Sequence, residues 1–262
     1  MNRLPGEAVE YHTSLVRCTL EAEDARAYWQ HRSGDDALPN PQQAYGEYWF
    51  GVRSLDRVKV LLSAFRERFD AFPPTLRVLA GWVDMPPQTR RLICHWHVQL
   101  ADPLYRAFTG EYLVERRAAA REGVTRDLVV RWIEERVPGR WSLPTRLQFA
   151  RKLLQTAAAA GLLGRQITTR PFLNPTVDDR ALAYLLYALR GIHISGSLVD
   201  NPYLASVGLQ GPQLDRRMTT DAALRFRRQG SLWEFDWQYD SLLDWAAATV
   251  WRQSAAEIEG VA

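Results

Sequence analysis

Residues 125–172 read TRDLVVRWIEERVPGRWSLPTRLQFARKLLQTAAAAGLLGRQITTRPF, and this stretch decides the fold. Leu128, Val129, Trp132 and Ile133 recur at helical spacing after Thr125, predicting a helix over 125–137 that Pro138-Gly139 closes. Ser142-Leu-Pro-Thr145 supplies turn and cap residues. A second helix is expected over 146–160, ended by Gly161. Leu147, Ala150, Leu154 and Ala157 form its inward stripe, with Phe149 and Leu153 beside it. The β-branched, threonine-rich run 167–172 lies between Gly164 and Pro175 and predicts one or two short strands. Helix, turn, helix and strand in that order suit a winged helix.

Upstream, residues 1–120 read as short-linked helices. A helix is expected over 11–31, starting after Thr13 or Ser14, and 35–43 is expected to be a loop broken by Pro39 and Pro41. From Ser54 the spacing of Leu55, Val58, Leu62, Phe65 and Phe69 predicts an amphipathic helix that ends at Pro73-Pro74. Helices over 76–83, 89–100 and 102–120 follow, the last opened by Asp102-Pro103. Downstream, helices are expected over 181–189, 201–207, 212–224 and 242–256. Two alternating runs, 224–228 and 232–239, predict a hairpin across Gln229-Gly230-Ser231. The expected class is mainly α: a helical bundle (1–122), then a helical region with winged-helix-like elements (123–262) and a few short strands.

Composition narrows the function. Hydrophobic residues make up 47% and ten tryptophans are present, so the chain folds rather than staying disordered. No run of about 18 uncharged apolar residues suggests a membrane span. The two cysteines, Cys18 and Cys94, offer no disulfide framework, and a cytoplasmic protein is expected. Cys94-His95-Trp96-His97 lacks the second pair of ligands that zinc requires, and no metal or other cofactor is expected. The acids Glu234, Asp236, Asp240 and Asp244 lack a matching lysine motif. Asp178-Asp179 reads as a helix cap. With no phosphate loop, nucleophile elbow or complete catalytic constellation, the chain is expected not to be an enzyme.

Net charge is only +3, so its distribution matters more than its sum. All positive side chains except Lys59 and Lys152 are arginine, a bias that a GC-rich genome produces without selection. From Arg136 to Val177 there is no Asp or Glu, where about five would be expected from the average, yet seven cations are present. On the second helix Arg146, Gln148, Arg151, Lys152 and Gln155 are expected to point outward. Arginine and glutamine at such spacing reach guanine and adenine edges in the major groove. Arg140 precedes that helix. Arg165, Thr168, Thr169 and Arg170 follow it, where a wing would touch phosphates. Arg225, Arg227 and Arg228, at the start of the 224–239 hairpin, form a second candidate. Trp233, Phe235 and Trp237 alternate there as in a strand packed on a core. The expected ligand is double-stranded DNA. A solvated helix face, or a protein–protein scaffold, is the competing reading.

Three stretches carry a family resemblance: NPQQAYGEYWFGVRSLDRVKVLLSAFRERFDAFP (40–73), LADPLYRAFTGEYLVERR (100–117) and LPTRLQFARKLLQTAAAAGLL (143–163). Their progression resembles the BrxA family of BREX phage-defence gene clusters. Residues 178–218 resemble the extended C-terminal part of some members. The resemblance implies an antitermination-type helical bundle with winged-helix character that binds DNA. It further implies work beside a methyltransferase, a phosphatase-like protein and an ATPase.

Overall fold

Capping side chains and prolines set most of the helix starts, because the first turn of a helix has N–H groups to satisfy and no use for proline's missing one. The computed structural model describes residues 4–32, 38–220, 224–229 and 232–251. It begins with α1 (Ser14–Arg17), α2 (Ala22–His31) and α3 (Pro41–Gly46). Next come α4 (Leu55–Phe65), capped by Ser54 and continued by a π turn, and α5 (Pro73–Gly81). Then α6 (Pro87–Ala101) leads to α7 (Pro103–Ala107), capped by Asp102, and a second π turn joins this to α8 (Leu113–Ala118). The strand β1 (Gly123–Val124) precedes α9 (Arg126–Arg136) and α10 (Leu143–Ala159), and β2 (Arg170–Pro171) follows them. Asp178 caps α11 (Asp179–Arg190), Asn201 caps α12 (Pro202–Ser206), and α13 (Pro212–Thr220) follows. The hairpin β3 (Leu224–Gln229) and β4 (Leu232–Trp237) leads to α14 (Leu242–Ala246) and a last π turn.

The fold is therefore mainly α, with two small antiparallel sheets, β1–β2 and β3–β4. Several of the expected elements need correcting. Residues 35–43 are not all loop, because Asn40 accepts a hydrogen bond from Gln42 N and Pro41 opens α3 instead of breaking it. The helix expected over 11–31 is split: Glu21 has φ +48°, and the carbonyls of Cys18 and Thr19 turn away to the buried Arg68 guanidinium at 2.6 and 2.7 Å. The last helix gives way to the π turn at Ala247–Trp251, and 252–256 lies outside the described residues.

One continuous apolar core spans residue 122, joining Leu61, Phe65 and Ile93 to Phe149, Leu153 and Leu185. At its centre lies α6, buried on every face from Leu92 to Leu100 although it carries His95, His97 and Gln99. Burial of such groups is tolerable only when each is hydrogen-bonded. Ser206 Oγ donates to the Tyr203 carbonyl, so it accepts from His95 Nε2–H at 2.9 Å, and His95 Nδ1 accepts from the Tyr105 hydroxyl at 2.9 Å. The opposite tautomer is set at His97. Its Nδ1–H donates to the Arg68 carbonyl and its Nε2 accepts from the Tyr184 hydroxyl, both at 2.7 Å. Trp96 Nε1 and Gln99 Nε2 donate to the carbonyls of Tyr203 and Pro202 at 3.2 and 3.3 Å.

Burial holds His95 down to about 3 and His97 down to about 4, so both are neutral in the fold. An unfolded histidine takes up its proton near pH 6.5. Stability should thus be level above that pH and fall as pH drops towards 4, by about 1.4 kcal/mol per pH unit for each histidine. Asp102, its carboxyl pushed up by burial, acts in the opposite sense. Urea unfolding at pH 7.5, 6 and 5 checks this. His97→Gln should cost stability at pH 7.5 but lose about half of the histidine-linked acid sensitivity. Equal stability of the parent at pH 7.5 and 5 would refute neutral burial.

Candidate nucleic-acid interface

The segment from α8 to residue 173 builds a compact helix–strand–helix–helix–hairpin unit. Thr125 Oγ1 accepts from Leu128 N and starts α9. Pro138 ends the segment after it, and Gly139 takes φ +67°, a turn that glycine makes without strain. Pro144 lies in the first turn of α10, which explains why this helix starts at Leu143, ahead of the expected 146. Phe149, Ala150, Leu153, Leu154 and Ala157 bury its inner face, and Trp141 packs on Phe149 with ring centroids 4.4 Å apart. Burying a leucine side chain such as Leu153 contributes roughly 1.5–3 kcal/mol.

After α10 the chain returns as a hairpin. Leu163 bridges Phe172, and β2 pairs with β1 through Gly123↔Pro171 and Val124↔Arg170. Gly164 N donates to Pro171 O at 2.8 Å, and Leu173 N to Leu162 O at 2.9 Å. Gly123 permits this closure: a Cβ there would sit 2.4 Å from the Arg170 carbonyl oxygen. Below the hairpin, Arg117 donates to the carbonyls of Leu162 and Leu173 at 3.1 and 2.8 Å and lies over the Phe172 ring. Nothing in the sequence marked Arg117 for this role, because its three acceptors come from residues 45 to 89 positions away.

The candidate contacts divide in two. Gln148, Arg151 and Gln155 are exposed on α10, and Lys152 is half-buried beside them. Arg165 and Thr169 are exposed on the hairpin tip. Among the described residues, the side chains of Arg151, Lys152 and Arg165 have no polar partner. The remaining cations serve the fold. Arg146 is not outward as expected: it is turned into an ion pair with Glu134 of α9 and is 18% exposed. Arg140, though exposed, donates to Tyr11 O at 2.6 Å and lies over the Tyr11 and Trp141 rings. Arg170 is half-buried and donates to Gly164 O at 3.3 Å. Arg136 pairs with Glu111 at 2.7 Å. A window free of acids in sequence is thus not free of them in space.

At the second candidate, β3–β4 register sets Arg225 opposite Asp236 and Arg227 opposite Glu234, with Arg228 opposite Trp233. The side chains of Arg225, Arg227 and Arg228 lie outside those described. Elsewhere, Cys94 is buried with its thiol pushed up to about 12, and both nitrogens of His97 are occupied within the core. Among the described residues no three His, Cys, Asp or Glu side chains are grouped to hold a metal ion, and no helix is long and apolar enough to cross a membrane.

No family model matches this chain, and no curated protein does. Among solved structures, an uncharacterized protein from Magnetospirillum magneticum is similar, with a TM-score of 0.53 and 16% identity over 70% of this chain and 98% of that one. At this identity the likeness is one of fold.

Arg146→Ala separates the two groups of cations. Loss of its pairing with Glu134 should lower unfolding stability by about 1 kcal/mol, read by urea denaturation. Any affinity of the unit for a polyanion should stay within about twofold of the parent, because Arg146 is spent on α9. An Arg146→Ala protein of parental stability but strongly weakened DNA binding would return Arg146 to the binding face.

Proposed function

We propose that this chain binds double-stranded DNA, with α10 in the major groove and the hairpin tip against the backbone beside it. The observation that carries the reading is the set of cations on the outer face of α10 and on the hairpin that have no polar partner among the described residues: Arg151, Lys152 and Arg165, with Gln148 and Gln155 also exposed on α10. Cations held at a folded surface without intramolecular partners are available to phosphates and to base edges. Thr169 adds a hydroxyl donor on the tip. Arg140 and Arg170 shape the unit and stand near its ends, and Arg225, Arg227 and Arg228 are assigned a secondary role. The binding is non-enzymatic and needs no cofactor. By its resemblance to the BrxA family, the chain is proposed to work in the cytoplasm as part of a BREX-type phage-defence system. There it would act with a methyltransferase, a phosphatase-like protein and an ATPase.

A scaffold role is the second reading. Tyr45, Tyr48 and Val52 are exposed around the turn after α3, next to the stacked rings of His31 and Trp49, 4.2 Å apart. Exposed aromatics of this kind anchor protein partners.

Arg151→Ala combined with Lys152→Ala should weaken duplex binding about tenfold or more and reduce the slope of log affinity against log salt by about 2. Fluorescence anisotropy with a labelled duplex at several salt concentrations measures both. Arg66→Ala, on the exposed side of the π turn after α4, is the control and should bind as the parent does. Parental binding by the double variant, with the effect carried by Arg225, Arg227 and Arg228, would move the interface to the β3–β4 hairpin. Absence of salt-sensitive binding by the parent would favour the scaffold. A second check is incubation of plasmid with the pure protein and magnesium or manganese, which should leave it intact; cleavage would overturn the non-enzymatic assignment.

A further inference from the structure

We propose that Ile167, at the tip of the 163–172 hairpin, is a wedge that enters the minor groove of duplex DNA, parts one base step and bends the helix. This rests on the DNA-binding reading and adds a deformation to it. Ile167 is 94% exposed, the highest value among the large hydrophobic side chains of the described residues. Its neighbours Arg165, Gln166, Thr168 and Thr169 are all exposed as well, so none of the described residues covers it. Strand pairing stops at Gly164 and Arg170, and the tip between them carries no cross-strand side chain for Ile167 to pack on.

The base of this hairpin is fixed while its tip is bare. Gly164 N to Pro171 O, Arg170 Nη1 to Gly164 O and the Arg117 guanidinium on Leu162 and Leu173 hold both arms. An arm fixed at its base and ending in a branched aliphatic group is suited to insertion, because its base needs no further ordering when the tip is seated. The charge around it selects the partner. Arg165, Arg151 and Lys152 are unpaired cations, and the segment 136–177 contributes no carboxylate of its own. An isoleucine offers nothing to a phosphate. Within a polyanion the apolar slot is the space between stacked bases, and aliphatic side chains that enter it do so from the minor groove. With α10 in the major groove, a tip that continues past its C-terminal end crosses one phosphate backbone and meets the adjacent minor groove. Arg165 and Thr169 then flank the inserted side chain and contact the two strands. Pyrimidine–purine steps, which unstack most easily, are the favoured sites.

The test uses a duplex of about 30 bp, rich in TA steps, with a donor and an acceptor dye at its ends and 2-aminopurine at a central step. Anisotropy of the same duplex gives affinity. Parental protein should raise energy transfer between the ends and raise 2-aminopurine fluorescence about twofold as the step opens. Ile167→Ala should bind within about threefold of the parent and lose both signals, while Ile167→Met should keep them. Circular dichroism should find all three equally folded, since position 167 touches no core residue. Binding by the parent without bending or unstacking would overturn the wedge and leave DNA binding standing, as would Ile167→Ala that still bends the duplex. Failure of the parent to bind any duplex would overturn both. If Ile167→Ala instead lost binding to anionic phospholipid vesicles while DNA bending was retained, the tip would be a membrane contact and the wedge would be wrong.

Discussion

The whole arrangement hangs on burying a polar helix. From Leu92 to Leu100, α6 has no solvent-facing side, yet two imidazoles and an amide lie on it. Each has to find a partner outside α6, and the partners are spread over the chain: Arg68, Tyr105, Tyr184 and Ser206 for the imidazoles, Thr109 and Pro202 for the amide. An apolar central helix would accept its neighbours at many rotations and registers. One carrying His95 and His97 in opposite tautomers accepts them in one. The specificity of the fold thus comes from hydrogen bonds whose net contribution to stability is modest, about 1 kcal/mol each, but whose absence would be costly. The helix–hairpin unit from α8 to residue 173 inherits this order, because Phe149 and Leu153 of α10 belong to the core that α6 fills.

Elements governed by nearby residues were legible in the sequence. The 224–239 hairpin, the Thr125 and Asp178 caps and the inner face of α10 follow from turn chemistry and period. The corrections are of two kinds, one local and the others dependent on residues far apart in the chain. The local one is at Pro41, which Asn40, one position earlier, makes a first-turn proline instead of a breaker. The break between α1 and α2 is made by Arg68, a residue of the π turn after α4. Arg146 follows the period of an exposed face, but helix spacing says nothing of Glu134 on the neighbouring helix α9. Charge patterning along the chain overstates the number of free cations in 136–177, because Arg136, Arg140, Arg146 and Arg170 find partners in space. Among the described side chains, Arg151, Lys152 and Arg165 combine the sequence signal with the absence of a polar partner in space.

Arginine's dominance over lysine has a structural use here whatever its genomic origin. Arg68 spans the Cys18 and Thr19 carbonyls, Arg106 those of Gln99 and Ala8, and Arg117 those of Leu162 and Leu173. A planar fork with several donors can hold two such oxygens at once and remain charged, which an ammonium point charge does poorly. These guanidiniums act as internal braces between segments that share no secondary structure.

The carbonyls around Arg68 and Arg117 are dipoles, and dipoles solvate a charge without cancelling it. Arg106 has Glu7 at 3.5 Å to offset it, but Arg68 and Arg117 are held by backbone oxygens. Their monopoles therefore survive into the far field, carried through a low-dielectric interior that screens them less than water does. On the proposed DNA-binding reading, part of the attraction felt by an approaching polyanion would originate from groups that it never touches. The kinetics of encounter and the strength of the final contact would then be set by different arginines.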